Sequence, residues 1–249
     1  MILKNTDRPP FDVLNENSAA PLVIMAEHAG NAVPDALNGL GMPPDVLRTH
    51  IAYDPGAREI GTRLADAFGA FAIFGNYSRL VVDLNREMSS EDLFLKERCG
   101  NNIPKNALLT TLDKASRIND IYLPYRNAIN GKIFGLLAGG VVPVILSLHS
   151  MSPDQPGVVQ DIALLFDRDV RLAGYLRDRF AKELPDVVVG MNAPYDANAV
   201  RGTLSMHAEP FGLPCVEIEF NQALLANPVR LENCVSCIEA GIREFLKSS

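Results

Sequence analysis

Strand and helix signals alternate along the 249 residues and predict an α/β protein: a single domain on a central mixed, mostly parallel sheet flanked by helices. Three observations carry that prediction. Short apolar runs, of which Val141 to Leu148 is the most continuous, read as strands buried on both faces. Segments with an apolar residue every three or four positions lie between them. No repeat, low-complexity tract or Gly/Ser linker marks a boundary, so residues 1–249 are expected to form one unit.

Leu22 to Ala26 is a short apolar run that breaks off at Glu27-His28-Ala29-Gly30-Asn31, a strand giving way to a loop. From Gly56 to Phe68 the spacing of Ile60, Leu64 and Ala67 predicts an amphipathic helix, and Phe71 to Phe74 a strand after it. Ser78 to Arg86 reads as a further strand ending in polar residues, and the polar stretch Glu87 to Asn106 as a long loop. Ile118, Tyr122, Tyr125, Ile129 and Ile133 place a long helix over Asp113 to Leu137, kinked around Pro124 and stopped by Gly139-Gly140. After the Val141 to Leu148 strand, Ile162 to Phe166 is predicted as a strand, Val170 to Leu184 as a helix and Val187 to Val189 as a short strand. Asn192 to Arg201 is a polar loop and Cys215 to Phe220 a strand. Leu231, Val235, Ile238, Ile242 and Phe245 mark a C-terminal helix.

A hydrophobic fraction of 47% against 21% charged residues is enough for a sizeable core and excludes a disordered chain. No apolar run reaches the roughly 18 residues that span a bilayer, and Met1 to Pro10 is polar, so a soluble, cytoplasmic protein without membrane partners is expected. The four cysteines, Cys99, Cys215, Cys234 and Cys237, are too few for a disulfide framework; Cys234 and Cys237 are expected to be buried on a helix. A net charge of −7, with no tryptophan and no basic cluster, argues against nucleic acid and leaves small-molecule chemistry.

His28 and His149 both follow apolar strands, and ligands in open α/β sheets bind beyond the strand C-termini. Two imidazoles arriving there can share one metal ion; two unrelated strand-end histidines is the alternative. In Val216-Glu217-Ile218-Glu219-Phe220 the two carboxylates share one side of a strand, where one can act as general base, unless this is an edge strand with a solvated face. Arg79 and Arg86 flank an apolar run and suit recognition of a carboxylate or oxyanion, or a structural salt bridge. Asp54, two residues before Gly56, is a possible oxygen ligand, although by itself it reads as a helix cap.

Several segments in the same order resemble the N-formylglutamate amidohydrolase family: Glu27 to Pro34, Tyr53 to Ala57, Ser78 to Arg86, Leu146 to Ser150, and Asn192 to Tyr195 through Thr203 to His207. Asp83-Leu84-Asn85-Arg86, Leu148-His149-Ser150 and Glu219 also resemble elements of zinc carboxypeptidases, more distant kin with the same α/β core. The resemblance implies a zinc-carboxypeptidase-like, hydrolase-like fold and one zinc ion per chain, another divalent ion being the alternative. It implies His28 and His149 as metal ligands, Glu219 as the catalytic glutamate, Asn85 and Arg86 as holders of a substrate carboxylate, and Arg79 as the group that polarises the scissile carbonyl. Asn31 stands where the carboxypeptidase kin carry a glutamate ligand, so Asp54 is the expected third ligand and Glu27 the second choice. Asn221 stands where relatives often place an arginine.

Hydrolysis of a small N-acyl, foremost N-formyl, amino acid such as N-formylglutamate is therefore expected, by zinc-activated water with Glu219 as base. The alternatives are a zinc carboxypeptidase or other N-acyl amino-acid deacylase, and a noncatalytic carboxylate-binding protein. Tyr195, Arg201 and His207 are further candidates for substrate contact from a closing loop, and His50 is read as structural.

Overall fold

A computed structural model of the protein describes residues 1–154, 157–194 and 202–248. The elements run β1 (Phe11–Leu14), β2 (Leu22–Ala26), α1 (Ala57–Phe68), β3 (Phe71–Gly75), β4 (Glu97–Arg98), β5 (Asn101–Asn102), α2 (Pro104–Ala107), α3 (Thr111–Arg117) and α4 (Leu123–Ala138). They continue with β6 (Val144–Met151), β7 (Ile162–Leu165), α5 (Arg171–Glu183), β8 (Val189–Met191), α6 (Thr203–His207), β9 (Cys215–Asn221), α7 (Gln222–Leu225) and α8 (Pro228–Ser248). Seven strands form one sheet in the order β1-β3-β2-β6-β9-β7-β8, while β4 and β5 make a separate hairpin. Strands β3, β2, β6 and β9 run parallel; β1 and β7 are antiparallel to their neighbours β3 and β9. The chain leaves β2 through α1 to β3 on one side and later returns to β6 on the other, so a switch point opens beyond the ends of β2 and β6.

Both faces of the sheet are covered, which is why its central strands are apolar without alternation. Leu22, Ile24 and Ala26 of β2, Leu146 and Leu148 of β6, and Val216, Ile218 and Phe220 of β9 pack in one core with residues of α1, α5 and α8. Val23 and Met25 of β2, Ile145 of β6 and Cys215 of β9 face the other core, which α4 closes with Tyr125, Ile129 and Ile133. Along this second face the register places Glu27 after Met25, Ser147 and His149 after Ile145, and Glu217 and Glu219 after Cys215. The pleat that buries the core therefore also gathers a row of polar side chains at the strand ends.

Most predicted elements form within one to three residues of their expected bounds. Ser78 to Arg86 does not form a strand. It is a chain of turns, with Val81 N–H bonded to Ser78 O and Arg86 N–H to Asp83 O, because no neighbouring strand pairs with it. Leu80, Val81, Val82 and Leu84 are nonetheless all buried in the second core, so the apolar run reflects burial, not pleat. The long helix is interrupted by a π-helical turn at Ile118–Tyr122, with Pro124 in the first turn of α4 just beyond it. The short strand β1 and the hairpin inside the Glu87 to Asn106 stretch give no periodic signal in the sequence. Cys234 and Cys237 are buried on α8, and all four cysteines are free. No helix among the described residues is long and apolar enough to cross a membrane.

Candidate active site

His28 follows β2, His149 lies within β6, and Asp54 lies in the turn before α1; the three are buried, with donor atoms within 4.8 Å of one another. Asp54 is held in place by its backbone, whose N–H bonds to His28 O. Its carboxylate does not cap α1: Gly56 is the N-cap and no side chain bonds there. Instead Asp54 Oδ2 lies 3.3 Å from His28 Nδ1, 2.8 Å from His149 Nδ1 and 3.4 Å from the Ser150 backbone N–H that donates to it.

The far side of each imidazole meets its own carboxylate. His28 Nε2 lies 2.7 Å from Asp83 Oδ1, and His149 Nε2 lies 3.2 Å from Glu27 Oε2 and 3.1 Å from Ser147 Oγ. Ser147 Oγ–H donates to Glu27 at 2.9 Å. An Nε2–H committed to a carboxylate leaves the Nδ1 lone pair of a neutral imidazole facing Asp54. Two lone pairs and a carboxylate oxygen repel unless a cation lies between them, and two imidazoles with one carboxylate suit zinc or a similar divalent ion. The residues present therefore fit such an ion. In the metal-free protein a proton takes its place: burial alone would lower His149, but the Glu217 charge and the bonds to Asp54 and Glu27 hold its pKa well above the usual histidine range.

The carboxylates respond to the same charges. Burial would raise Glu27, but the hydrogen bond and charge of His149 pull it down to about 2. Asp83 is held well below the usual range against its burial, chiefly by Arg79 and His28. Glu219 moves the other way, to about 8, because burial and the charges of Asp54 and Glu217 outweigh His149 and Arg79. A carboxyl poised near neutrality beside a cluster that could hold a metal ion has the pKa that proton transfer needs.

The remaining predicted residues fall into three groups. Arg79 is nearly buried, its guanidinium 2.9 Å from Asp83 and 3.6 Å from Asp54. Asn85 is buried deeper than a surface contact: its Nδ2 lies 3.2 Å from Glu217 Oε2 and 3.2 Å from His149 Nε2, and its Oδ1 accepts Thr203 N–H at 2.7 Å. Gly202 makes that approach possible, since a Cβ there would meet Asn85 Oδ1 at 1.8 Å. Arg86 is half-buried, with no hydrogen-bond partner for its Nε among the described residues. His207 lies inside the protein on α6, bonded through Nδ1 to Asn130, and burial and Arg126 push it down to about 3. His50 lies half-buried in a turn, outside the cluster. Tyr195 and Arg201 lie outside the described residues. Asn221 caps α7 by accepting from Ala223 N–H.

Sequence reasoning did not single out Asp83, Ser147 or Arg98. The first two lie in motifs that it quoted, Asp83 inside the apolar run and Ser147 two residues before His149. Arg98, on β4, has no local signature; only the fold brings it within electrostatic range of Asp54, Asp83 and Arg79.

A buried His–Asp–His donor set that could hold a metal ion, at the C-terminal ends of the parallel strands of a doubly covered sheet and with a carboxyl of raised pKa beside it, suits hydrolytic chemistry. Comparison with known proteins makes this specific. The chain belongs to the N-formylglutamate amidohydrolase family, whose model matches residues 20–226. Among solved structures it is similar to a gene product of Agrobacterium tumefaciens, with 28% identity, a TM-score of 0.93, and 100% of this chain and 99% of that one covered. It is also similar to an N-formylglutamate amidohydrolase from Ralstonia eutropha JMP134, at 20% identity and a TM-score of 0.74, covering 97% and 99% of the two chains. No curated protein matches the sequence.

Proposed function

We propose that the protein hydrolyses the amide bond of a small N-acyl amino acid, foremost an N-formyl amino acid such as N-formylglutamate, with one zinc ion held by His28, Asp54 and His149. The observation that carries this reading is the pair of imidazole Nδ1 atoms turned toward one Asp54 oxygen, each fixed by a carboxylate behind it. Bound there, the ion supplies the Lewis acidity that acidifies water and polarises an amide carbonyl.

The chain's own groups do the rest. Glu219, half-buried and near-neutral in pKa, accepts the proton of the attacking water and returns it to the departing amine. Arg79, fixed by Asp83 and Asp54, presents positive charge to the oxyanion that develops on the amide oxygen. Arg86, with its Nε unpartnered, takes the α-carboxylate, while Asn85 holds the segment by bonding Glu217 and Thr203. Tyr195 and Arg201 remain proposed substrate contacts, and His207 ties α6 to α4 through Asn130. The whole chain, residues 1–249, acts as one amidohydrolase domain in a cytoplasmic, reducing setting, which four free cysteines support.

Elemental analysis before and after chelation, combined with formate release from N-formylglutamate, tests the reading. About one zinc per chain, lost together with turnover in His149→Ala, is expected. A protein that stays metal-free after zinc reconstitution while binding N-acyl amino acids without turnover overturns it in favour of a carboxylate-binding protein.

A further inference from the structure

The segment Ser78 to Arg86 pairs with no strand, so its backbone carbonyls need partners from elsewhere. Three of them find these on one helical run, from α3 through the π-helical turn into α4. Arg117 donates to Val81 O at 2.8 Å. Arg126, on α4, donates through Nη2 to Leu84 O and reaches Arg86 O at 3.4 Å. Tyr122 ends the π-helical turn four residues before Arg126, and its hydroxyl donates to the same Arg86 O at 2.6 Å. The Arg126 guanidinium lies over the Tyr122 ring, 4.9 Å from its centroid.

Arg126 also crosses to the start of α6. Its Nη1 donates to Thr203 Oγ1 at 3.0 Å, while Thr203 N–H donates to Asn85 Oδ1 and Asn85 Nδ2 donates to Glu217 on β9. Residues 84–86 are thereby gripped one by one, Leu84 and Arg86 by their carbonyls and Asn85 by its side chain. The grip leaves over the Arg86 guanidinium, whose Nε has no hydrogen-bond partner among the described residues.

Arg126 is only 5% exposed, and the acceptors it meets among the described residues are neutral oxygens. A buried guanidinium without a carboxylate is a poor stabilising device, because its desolvation is not offset and an apolar side chain of similar volume would pack as well. Its fork is matched instead to two carbonyls two residues apart and to a hydroxyl on another element, which takes several donors in one plane.

We propose that Arg126 and Tyr122 are positioning residues that act through Arg86, fixing the backbone from which its guanidinium reaches the substrate α-carboxylate. The inference rests on the hydrolase reading above and adds to it the groups that preorganise its carboxylate-binding arm. Because both act from behind the turn, their removal weakens substrate binding and leaves the chemical step little changed.

The test is a double-mutant cycle with two readouts. One is KM and kcat for N-formylglutamate with the zinc-loaded enzyme; the other is the calorimetric Kd of N-formylglutamate for zinc-loaded Glu219→Gln protein. Arg126→Met and Tyr122→Phe are each made alone and together with Arg86→Gln. Alone, Arg126→Met is expected to raise KM and Kd on the order of 10-fold and Tyr122→Phe about 3-fold, with kcat within about 3-fold of wild type. With Arg86→Gln present, both effects should shrink below about 2-fold, because the group through which they act is gone. Arg126→Lys, which keeps the charge without the fork, should recover part of the affinity lost in Arg126→Met. Unchanged KM and Kd in both variants, or losses undiminished beside Arg86→Gln, overturn the proposal and leave the hydrolase reading intact. If Arg126→Met does not fold, Tyr122→Phe, which removes one oxygen atom and keeps the ring, decides by the same cycle. Wild-type protein that binds N-formylglutamate without turnover overturns the hydrolase reading, while the Kd cycle still decides the role of Arg126 and Tyr122. Absence of both binding and turnover overturns the two together.

Discussion

Replacing Glu27 by Gln keeps the size and shape of a side chain that is fully buried behind His149 and removes its charge. Two consequences can be worked out. In the metal-free protein the Glu27 carboxyl lies at about 2 against an ordinary 4.5, a depression of about 2.5 units, or about 3 kcal/mol. Because the folded pKa is the lower one, that stabilisation is fully present above about pH 4.5 and is lost as the pH falls toward 2. Glutamine does not titrate, so the stability gap between wild type and Glu27→Gln should shrink by about 3 kcal/mol over that window. Urea midpoints measured in chelator at half-unit steps from pH 6 down to the acid limit would show it. In the zinc-loaded protein the loss of the carboxylate behind His149 should weaken metal affinity by about 10- to 100-fold. Parallel stability curves, together with an unchanged zinc affinity, would refute the claim that Glu27 holds the His149 imidazole in its ligand orientation.

Three further outcomes follow from the same geometry. Glu219→Gln should retain zinc at wild-type stoichiometry and lose on the order of 10³-fold or more in kcat, measured by formate release; near-normal turnover would remove Glu219 from the proton-transfer role. Gly202→Ala drives a methyl group into Asn85 Oδ1 and should destabilise the fold by about 1–3 kcal/mol, read as a shift in urea midpoint at constant slope. Phe180→Ala empties a fully buried position between α5 and the sheet and should cost about 3–5 kcal/mol with zinc affinity unchanged, since it lies on the opposite sheet face.

The elements that the sequence made legible are those whose burial follows a local period. Ile60 and Leu64 on α1, Leu172, Leu176 and Phe180 on α5, and Leu231, Val235, Ile238, Ile242 and Phe245 on α8 all lie in the predicted core stripe. The run Leu80 to Leu84 misled because it is buried on all sides by loops and α-helical residues; an unbroken apolar run reports burial without saying which backbone achieves it. The hairpin that carries Arg98 was read only as loop, because its strands are two residues each and the chain around them is held by Asn106, Arg117 and the Asp83 backbone, through contacts between residues 10 or more apart in sequence.

The candidate site divides along the same line. His28 and His149 were legible because each follows an apolar run, although β6 continues through His149 to Met151, and Glu217 and Glu219 because a carboxylate pair inside an apolar strand demands a partner. What the sequence does not display is the register that sets Ser147 beside Glu217 and His149 beside Glu219, with β2 entering on the other side of β6. That register decides which carboxylate does what. Glu27, the second choice for third ligand, continues the Val23 and Met25 face of β2 and so meets the back of His149, whereas Asp54 enters from the turn before α1 and meets the Nδ1 atoms. The acidic residue adjacent in sequence to His28 was thus placed by the pleat behind His149, and Asp54, 26 residues beyond His28, was placed between the two imidazoles. Three of the buried carboxylates, Glu27, Asp83 and Asp54, have separate tasks for that reason. Glu27 and Asp83 orient an imidazole each, which leaves Asp54 as the one whose oxygen both rings share and where a cation has the most to neutralise.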